Sequence, residues 1–207
     1  PLLHEIHWQH AATILEVAEV VARKKGVYPV YITSFKCSPD SFTLEYFKAI
    51  HEIGKQINAT YELDTILDLI VTRLPAVMGL KAATIRLIEE NKGKLALKAA
   101  HGLSQTYLQR GPVDDELATY YIKEGEPVVI PDARKDIHTL YHAEAEAEGI
   151  RSILAVPIAV RGEIIGILRL LTKDVRYFST VDINFAMAVA EQSGIAIQRA
   201  LDYPRLQ

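Results

Sequence analysis

Cysteine is nearly absent: Cys37 is the only one in 207 residues. No internal disulfide can form, which suits a reducing compartment. No apolar run is long enough to span a bilayer as a helix, and no signal-peptide pattern opens the chain. A basic excess is missing as well. Lys and Arg number 23 against 26 Asp and Glu, a net charge of −3, which argues against a nucleic-acid partner with its basic stripe. Together these absences predict a cytoplasmic protein with neither membrane nor nucleic acid as partner. The chain opens at Pro1 without a methionine, which points to a fragment of a longer protein.

What is present is apolar substance. Hydrophobic residues make up 49% of the chain, enough for a substantial core. The most apolar stretch is RSILAVPIAVRGEIIGILRLLT, residues Arg151–Thr172. Alternation puts Ser152, Leu154, Val156, Ile158 and Val160 on one face and Ile153, Ala155 and Ala159 on the other. Both faces are largely apolar, so the stretch reads as a central hairpin covered on both sides, with Arg161-Gly162 as its turn. Pro157 cannot donate a ladder hydrogen bond and belongs where the strand bends or loses a neighbour. Gly166 admits a close backbone or a ligand. Arg169 interrupts the aliphatic run, and its charge must reach a partner, a ligand or the rim.

The rest of the chain alternates helix and strand signals. Residues 4–26 read as a helix ending at Gly26, and Val27–Thr33 as a strand. Ser38-Pro39 looks like the start of a helix through Ile50, Ile53 and Ile57. Asp64 is placed to cap a helix to about Val77, closed by Gly79. Strands follow at Ala83–Ile88 and Lys94–Ala100, a helix at Asp114–Glu124, a strand at Pro127–Ile130 and an exposed Ala/Glu-rich helix at His138–Glu148. Ser179 with Asp182 three residues on opens a last helix reaching about Asp202. The pattern is α+β.

Two stretches carry resemblances. ITSFKCSPDSF, within about residues 27–47, resembles a segment near the end of proteins related to the 2-hydroxyacyl-CoA dehydratases and their ATP-dependent activators, which would make Cys37 a former iron–sulfur ligand; with no second cysteine, a buried or loop thiol is the favoured reading. ELDTILDLIVTRLPAVMGLKAATIRLI, EPVVIPDARKD, RSILAVPIAVRGEIIGILRL and FSTVDINFAMAVAEQSGIAIQRA occur in the order and spacing of a GAF domain, and the chain resembles that family from about Leu44 to Tyr203. The resemblance implies an antiparallel sheet of five or six strands, terminal helices on one face, and a connection between Gly102 and Gly149 that covers a ligand pocket on the other. Residues 1–43 are then an appendage and 44–207 the GAF domain.

The family's ligand signatures can be checked residue by residue. Cyclic-nucleotide-binding members carry Asn-Lys, then Phe-x3-Asp-Glu. Here Thr172-Lys173 and Phe178-x3-Asp182-Ile183 stand in those places, so the first and last polar residues are lost. Phe178 and Asp182 read as a core residue and a helix cap. The thioether cysteine of bilin binders and the redox cysteines of the free methionine sulfoxide reductases have no counterpart in the domain. Haem would need an axial ligand such as His101, His138 or His142. His138 and His142 stand one turn apart, as zinc ligands can, although a solvated helix face explains them better. No cofactor can be named.

The candidate site is built from Arg86, Tyr120, Tyr121, Asp132, Arg134, Ser152 and Arg169. Thr84, Arg86 and Ile88 share a strand face, while Asp132 and Arg134 follow the short strand at the pocket rim. Arg86, Arg134 and Arg169 together are able to hold an anion through paired N–H donors, unless Asp132 and Glu163 neutralise them in plain salt bridges. Tyr120 and Tyr121 line or plug the pocket. The leading function is a non-catalytic sensory or regulatory module that binds a small molecule and signals through its terminal helices to an output domain outside this chain. The alternatives are a structural dimerisation module without ligand and, behind it, a redox or dehydratase-related enzyme fragment. A homodimer is expected, because Ile50, Ile53 and Ile57 on one helix and Val189, Ile197 and Leu201 on the last exceed what one sheet face covers, while Ala186, Ala190 and Gly194 form a small-residue stripe.

Overall fold

The computed structural model describes residues 38–89, 93–111, 122, 124–137 and 139–203. The N-terminal helix and strand, Cys37, His138 and nearly all of the helix expected at Asp114–Glu124 lie outside the described residues. The elements run α1 (Ser38–Asn58), α2 (Leu63–Met78), β1 (Ala82–Ile88), β2 (Leu95–His101), α3 (Gln105–Leu108), β3 (Val128–Ile130), α4 (His142–Glu148), β4 (Ile153–Val160), β5 (Glu163–Leu171) and α5 (Thr180–Asp202). No described helix is long and apolar enough to cross a membrane.

The central hairpin forms as its sequence dictates. β4 and β5 pair antiparallel, and the turn residues Arg161 and Gly162 have φ values of 53° and 84°. Two positive φ angles in a row give a two-residue turn the twist its strands require. The five strands are ordered β2-β1-β5-β4-β3, all neighbours antiparallel, with β5 at the centre. Gly166 sits where a β-carbon would strike the Arg86 carbonyl of β1, so its bareness admits a backbone. β3 pairs only with Ile153–Ala155, and Pro157 falls just past the point where β4 loses that neighbour.

One sheet face, carrying Leu154, Val156, Ile158, Leu168, Leu170, Ala83, Ile85 and Leu87, packs under α2 and α5, and α1 lies on those two helices. α5 begins with a complete capping box: Ser179 accepts from the Asp182 N–H, and the Asp182 carboxylate accepts from the Ser179 N–H. The helix comes close to the sheet because Gly194 faces the Ala159 carbonyl, where a β-carbon would collide with backbone. Ala186 and Ala190 on the same stripe are wholly buried. The small-residue stripe therefore meets the sheet. α1 lies beside α5 in the same direction, with Tyr46 stacked on Phe185 at 4.2 Å and the Arg199 guanidinium closing the end of α1 on the Ile57 carbonyl at 3.0 Å.

Three expectations change. Asp64 lies in the first turn of α2 and is not its cap; Glu62 holds that place, without a side-chain cap bond. α4 starts at His142, since the preceding residues coil into turns that close on Asp132 and Asp136. The surplus that predicted pairing through Ile50, Ile53, Ile57, Val189 and Ile197 is used inside the protomer, where none exceeds 3% exposure. α2 and α5 lie on the sheet and α1 packs on those two helices, so a second helical layer covers what periodicity alone left over. Of the apolar residues named for pairing, Leu201 stays exposed, at 40%.

The seam between α1 and α5 holds one flaw. Gln192 is 5% exposed and presses on Gly54, and neither its Oε1 nor its Nε2 has a hydrogen-bond partner among the described residues. Gln192→Met, similar in volume and without the orphaned amide, is expected to raise unfolding free energy by about 1 kcal/mol in urea titration. Gly194→Ala is expected to lose about 1–3 kcal/mol through overpacking against fixed backbone. Gly54→Ala should be close to neutral, because it meets only the movable tip of Gln192 and gains about 1 kcal/mol of helix propensity. Equal tolerance of alanine at the two glycines would contradict the close seat of α5 on β4.

Candidate functional site

The sheet face turned away from the three long helices reads differently. Its first row is apolar: Ala82, Leu171, Ile153 and Ile130 sit side by side across four strands. The next row runs Ala100, Thr84, Arg169, Ala155 and Val128. The third carries Leu97, Arg86, Ile167 and Pro157. Arg169 and Arg86 thus lie diagonally on the two central strands, with Thr84 directly opposite Arg169. All three are buried, at 5%, 7% and 6% exposure.

Register puts the two arginine β-carbons roughly 7 Å apart. Like charges on neighbouring strands repel one another. Burial adds a desolvation cost for each. Such a pair persists only where anionic or accepting groups face it, and each arginine is engaged by another group of the chain.

The other expected site residues separate from this pair. Asp132 grips Arg134 bidentately, accepting from Nε at 2.8 Å and from Nη2 at 2.6 Å. These hydrogen bonds outweigh the opposing effect of desolvation, and with the charge of Arg134 and Lys135 they hold the Asp132 carboxyl down at about 2. Arg134 is thereby committed to its own loop and is not a third arm of an anion grip. Glu163 stands at the hairpin turn, six residues from Arg169 along β5 and so about 20 Å away; it does not neutralise that arginine. Ser152 is wholly buried, donates to the Pro131 carbonyl at 2.6 Å and accepts from the Arg176 N–H at 2.8 Å. It ties two loops together and does not reach the arginine face. Tyr120 and Tyr121 lie outside the described residues.

Phe178 and Asp182 are structural, as their bland reading had it. Asp182 accepts from the Tyr46 hydroxyl at 2.7 Å and from Arg176 Nη2 at 3.0 Å besides capping α5, and Phe178 is buried under the Arg176 guanidinium. Lys173 is exposed. His142 Nε2 lies 2.9 Å from the Asp136 carbonyl oxygen, and no group of three or more potential metal ligands occurs among the described residues. A hollow of about 1160 Å³ opens between the β4–β5 hairpin and α5 around Ile164, Met187 and Ile195, and neither Arg86 nor Arg169 lines it.

One anchor of the site gave no sequence signal. The Glu148 carboxylate at the end of α4 receives Lys81 Nζ at 2.9 Å, the Ser104 N–H at 3.2 Å and the Ser104 hydroxyl. It pins the covering connection to the start of β1. Burial pushes the Glu148 carboxyl up, but the hydrogen bonds from Ser104 and Lys81 prevail and hold it below the usual carboxylate range. A depressed folded pKa gives stability that is complete above the unfolded value, about 4.3, and is lost as pH falls through the folded one. Glu148→Gln is therefore expected to cost about 1–2 kcal/mol near neutral pH. That difference from the parent should shrink as urea titrations are taken to acid. A gap that persists at low pH would show that the side chain acts through packing.

The geometry agrees with comparisons to known proteins. The GAF domain of a phosphoenolpyruvate-protein phosphotransferase from Coxiella burnetii superposes with a TM-score of 0.70 at 22% identity, covering 78% of this chain and 98% of that one. The corresponding domain from Acinetobacter gives 0.65 at 21% identity, covering 77% and 97%. The free methionine-R-sulfoxide reductase of Neisseria meningitidis, solved with its substrate, gives 0.66 at 18% identity, covering 84% and 99%. No curated protein matches the chain by sequence. The family model for the GAF domain matches residues 60–198, from just before α2 to the last turn of α5, and the chain belongs to the GAF domain family.

Proposed function

We propose that this chain is a non-catalytic sensory or regulatory module that takes up a small molecule on the sheet face bearing Arg86 and Arg169 and signals through α1 and α5 to an output domain elsewhere. GAF domains are commonly small-molecule-binding modules of signalling proteins, and the observation that carries the reading here is the buried arginine pair on the two central strands. The route to the helices is short. β5 carries Arg169 and ends beside Thr172, whose hydroxyl bonds the Ser152 backbone; Arg176 follows, and it grips Asp182 at the start of α5. A shift of β5 therefore bears on the node where α1 and α5 meet. The stretch matched by the family contains no cysteine, so thiol redox chemistry has no residue to run on there.

Native mass spectrometry of freshly purified protein should reveal a retained small-molecule mass. Removing that molecule should speed amide exchange in both α1 and α5. A protein that carries no ligand, and whose terminal helices are indifferent to metabolite extracts, overturns the reading. The homodimer proposed for the terminal helices must use what α5 leaves outside, chiefly Ile195 and Leu201. Ile195→Glu with Leu201→Glu should turn a dimer into a folded monomer in light scattering across a concentration series. Ile53→Glu, buried in the protomer, should unfold it instead.

A further inference from the structure

We propose that the hollow between the β4–β5 hairpin and α5 receives α5 of a second copy of this chain, the two helices lying antiparallel about a two-fold axis at Ile195. The proposal rests on the homodimer proposed above and names the surface and the direction by which it forms. The hairpin itself is unfinished. β3 pairs with β4 only as far as Ala155, and β1 pairs with β5 only from Gly166 on. The end of the hairpin, from Ile158 to Ile165, therefore has no further strand on either side among the described residues. A two-stranded ribbon is marginal alone, and this one rests on α5, where Gly194 meets Ala159 and Val160. Ile164 and Ile165 on it are only half-buried.

The helix beside it has a face to spare. Met187, Glu191, Ile195, Gln198 and Asp202 recur at i+4, i+8, i+11 and i+15, so they share one stripe of α5, and all of them line the hollow of about 1160 Å³. The stripe runs about 22 Å at 1.5 Å per residue, the length of a helix contact and not of a small molecule. Three large apolar side chains left exposed also line it: Tyr61 at 50%, Ile195 at 42% and Tyr203 at 44%. An apolar hollow of that length is completed by a helix laid along it.

Charge selects the occupant. The hollow is bordered by both signs, with Arg161 and Glu163 at the hairpin turn and Asp202 near the end of α5. None of these three has an ion-pair partner among the described residues. A surface of mixed sign with an apolar floor suits its own copy, because a two-fold sets each group against a different part of the same surface. A partner of one strong sign would meet repulsion as often as attraction. The stripe also fixes the direction. A parallel pair would set Asp202 against Asp202, like charge on like. An antiparallel pair centred on Ile195 carries the two Asp202 side chains to opposite ends and brings Met187 beside the second copy's Tyr203, a sulfur–aromatic contact.

The test uses the full chain with Cys37→Ser as background, so that introduced cysteines are the only ones. The double variant Met187→Cys with Tyr203→Cys should be joined into a dimer by a short bismaleimide, while neither single variant should be. Ile164→Asp, on the hairpin, should raise the dimer dissociation constant by about tenfold or more in light scattering, with the helical circular dichroism of the parent retained. If that variant fails to fold, the cysteine set decides. Joining by Met187→Cys alone shows a parallel pair and overturns the proposal. So does a dimer that the double variant does not join. A dimer indifferent to Ile164→Asp, yet broken by Ile195→Glu with Leu201→Glu, overturns it and leaves the homodimer standing. A parent chain that stays monomeric at the highest concentration reached overturns both.

Discussion

The carboxylate of Asp182 is the point on which the arrangement of the helices depends. It caps α5 through the Ser179 N–H and hydroxyl, accepts the Tyr46 hydroxyl of α1, and holds Arg176, whose second nitrogen reaches the last carbonyl of α2 at Met78. Three helices and the segment leaving β5 thus share one buried anion. Burial raises the Tyr46 hydroxyl well above its ordinary pKa, and its bond to the carboxylate raises it further, so the donor stays protonated at neutral pH. A charge this enclosed is stabilising only while all its partners are present. The helix layer is therefore specified as a set.

Beneath that node the sheet separates two kinds of interior. The face under α1, α2 and α5 is aliphatic and aromatic, with Phe185, Ile50 and Ile70 fully buried. The opposite face has an apolar margin and a cationic centre. β5 belongs to both, since its even-numbered residues Leu168 and Leu170 face the helices while Ile167, Arg169 and Leu171 face the covering connection. A strand with hydrogen-bonded neighbours on both sides moves only with them, so whatever alters the charge balance around Arg169 acts on the whole sheet.

Much of this was legible in the sequence because it is local. Alternation along residues 152–160 assigned the side chains of β4 to their faces, Arg161-Gly162 marked the turn, and Ser179 with Asp182 marked the start of α5. Arg169 announced itself as a charge in an aliphatic strand. Other features depend on distance. Tyr46 and Asp182 are 136 residues apart, and neither shows in sequence that it needs the other. Periodicity revealed that Ile53, Ile57 and Val189 were apolar stripes but not what would cover them; the packing of α1 on α2 and α5 did so within one protomer. Arg134 looked equivalent to Arg86 and Arg169 until its loop folded it onto Asp132. Glu148 lay in a run of glutamates with nothing to distinguish the one that meets Lys81.

Among the described residues, the short β3 leaves the outer edge of β4 without a strand partner beyond Ala155. An open edge is a template on which another extended chain can lay itself, and a sheet as apolar as this one would make that pairing persistent. Pro157 stands in the open part of the edge. It interrupts the row of amide donors at its middle, so an incoming strand finds no continuous ladder to extend. A residue that appears as an irregularity in the most apolar stretch of the chain thereby works against edge-to-edge pairing of this strand with another chain.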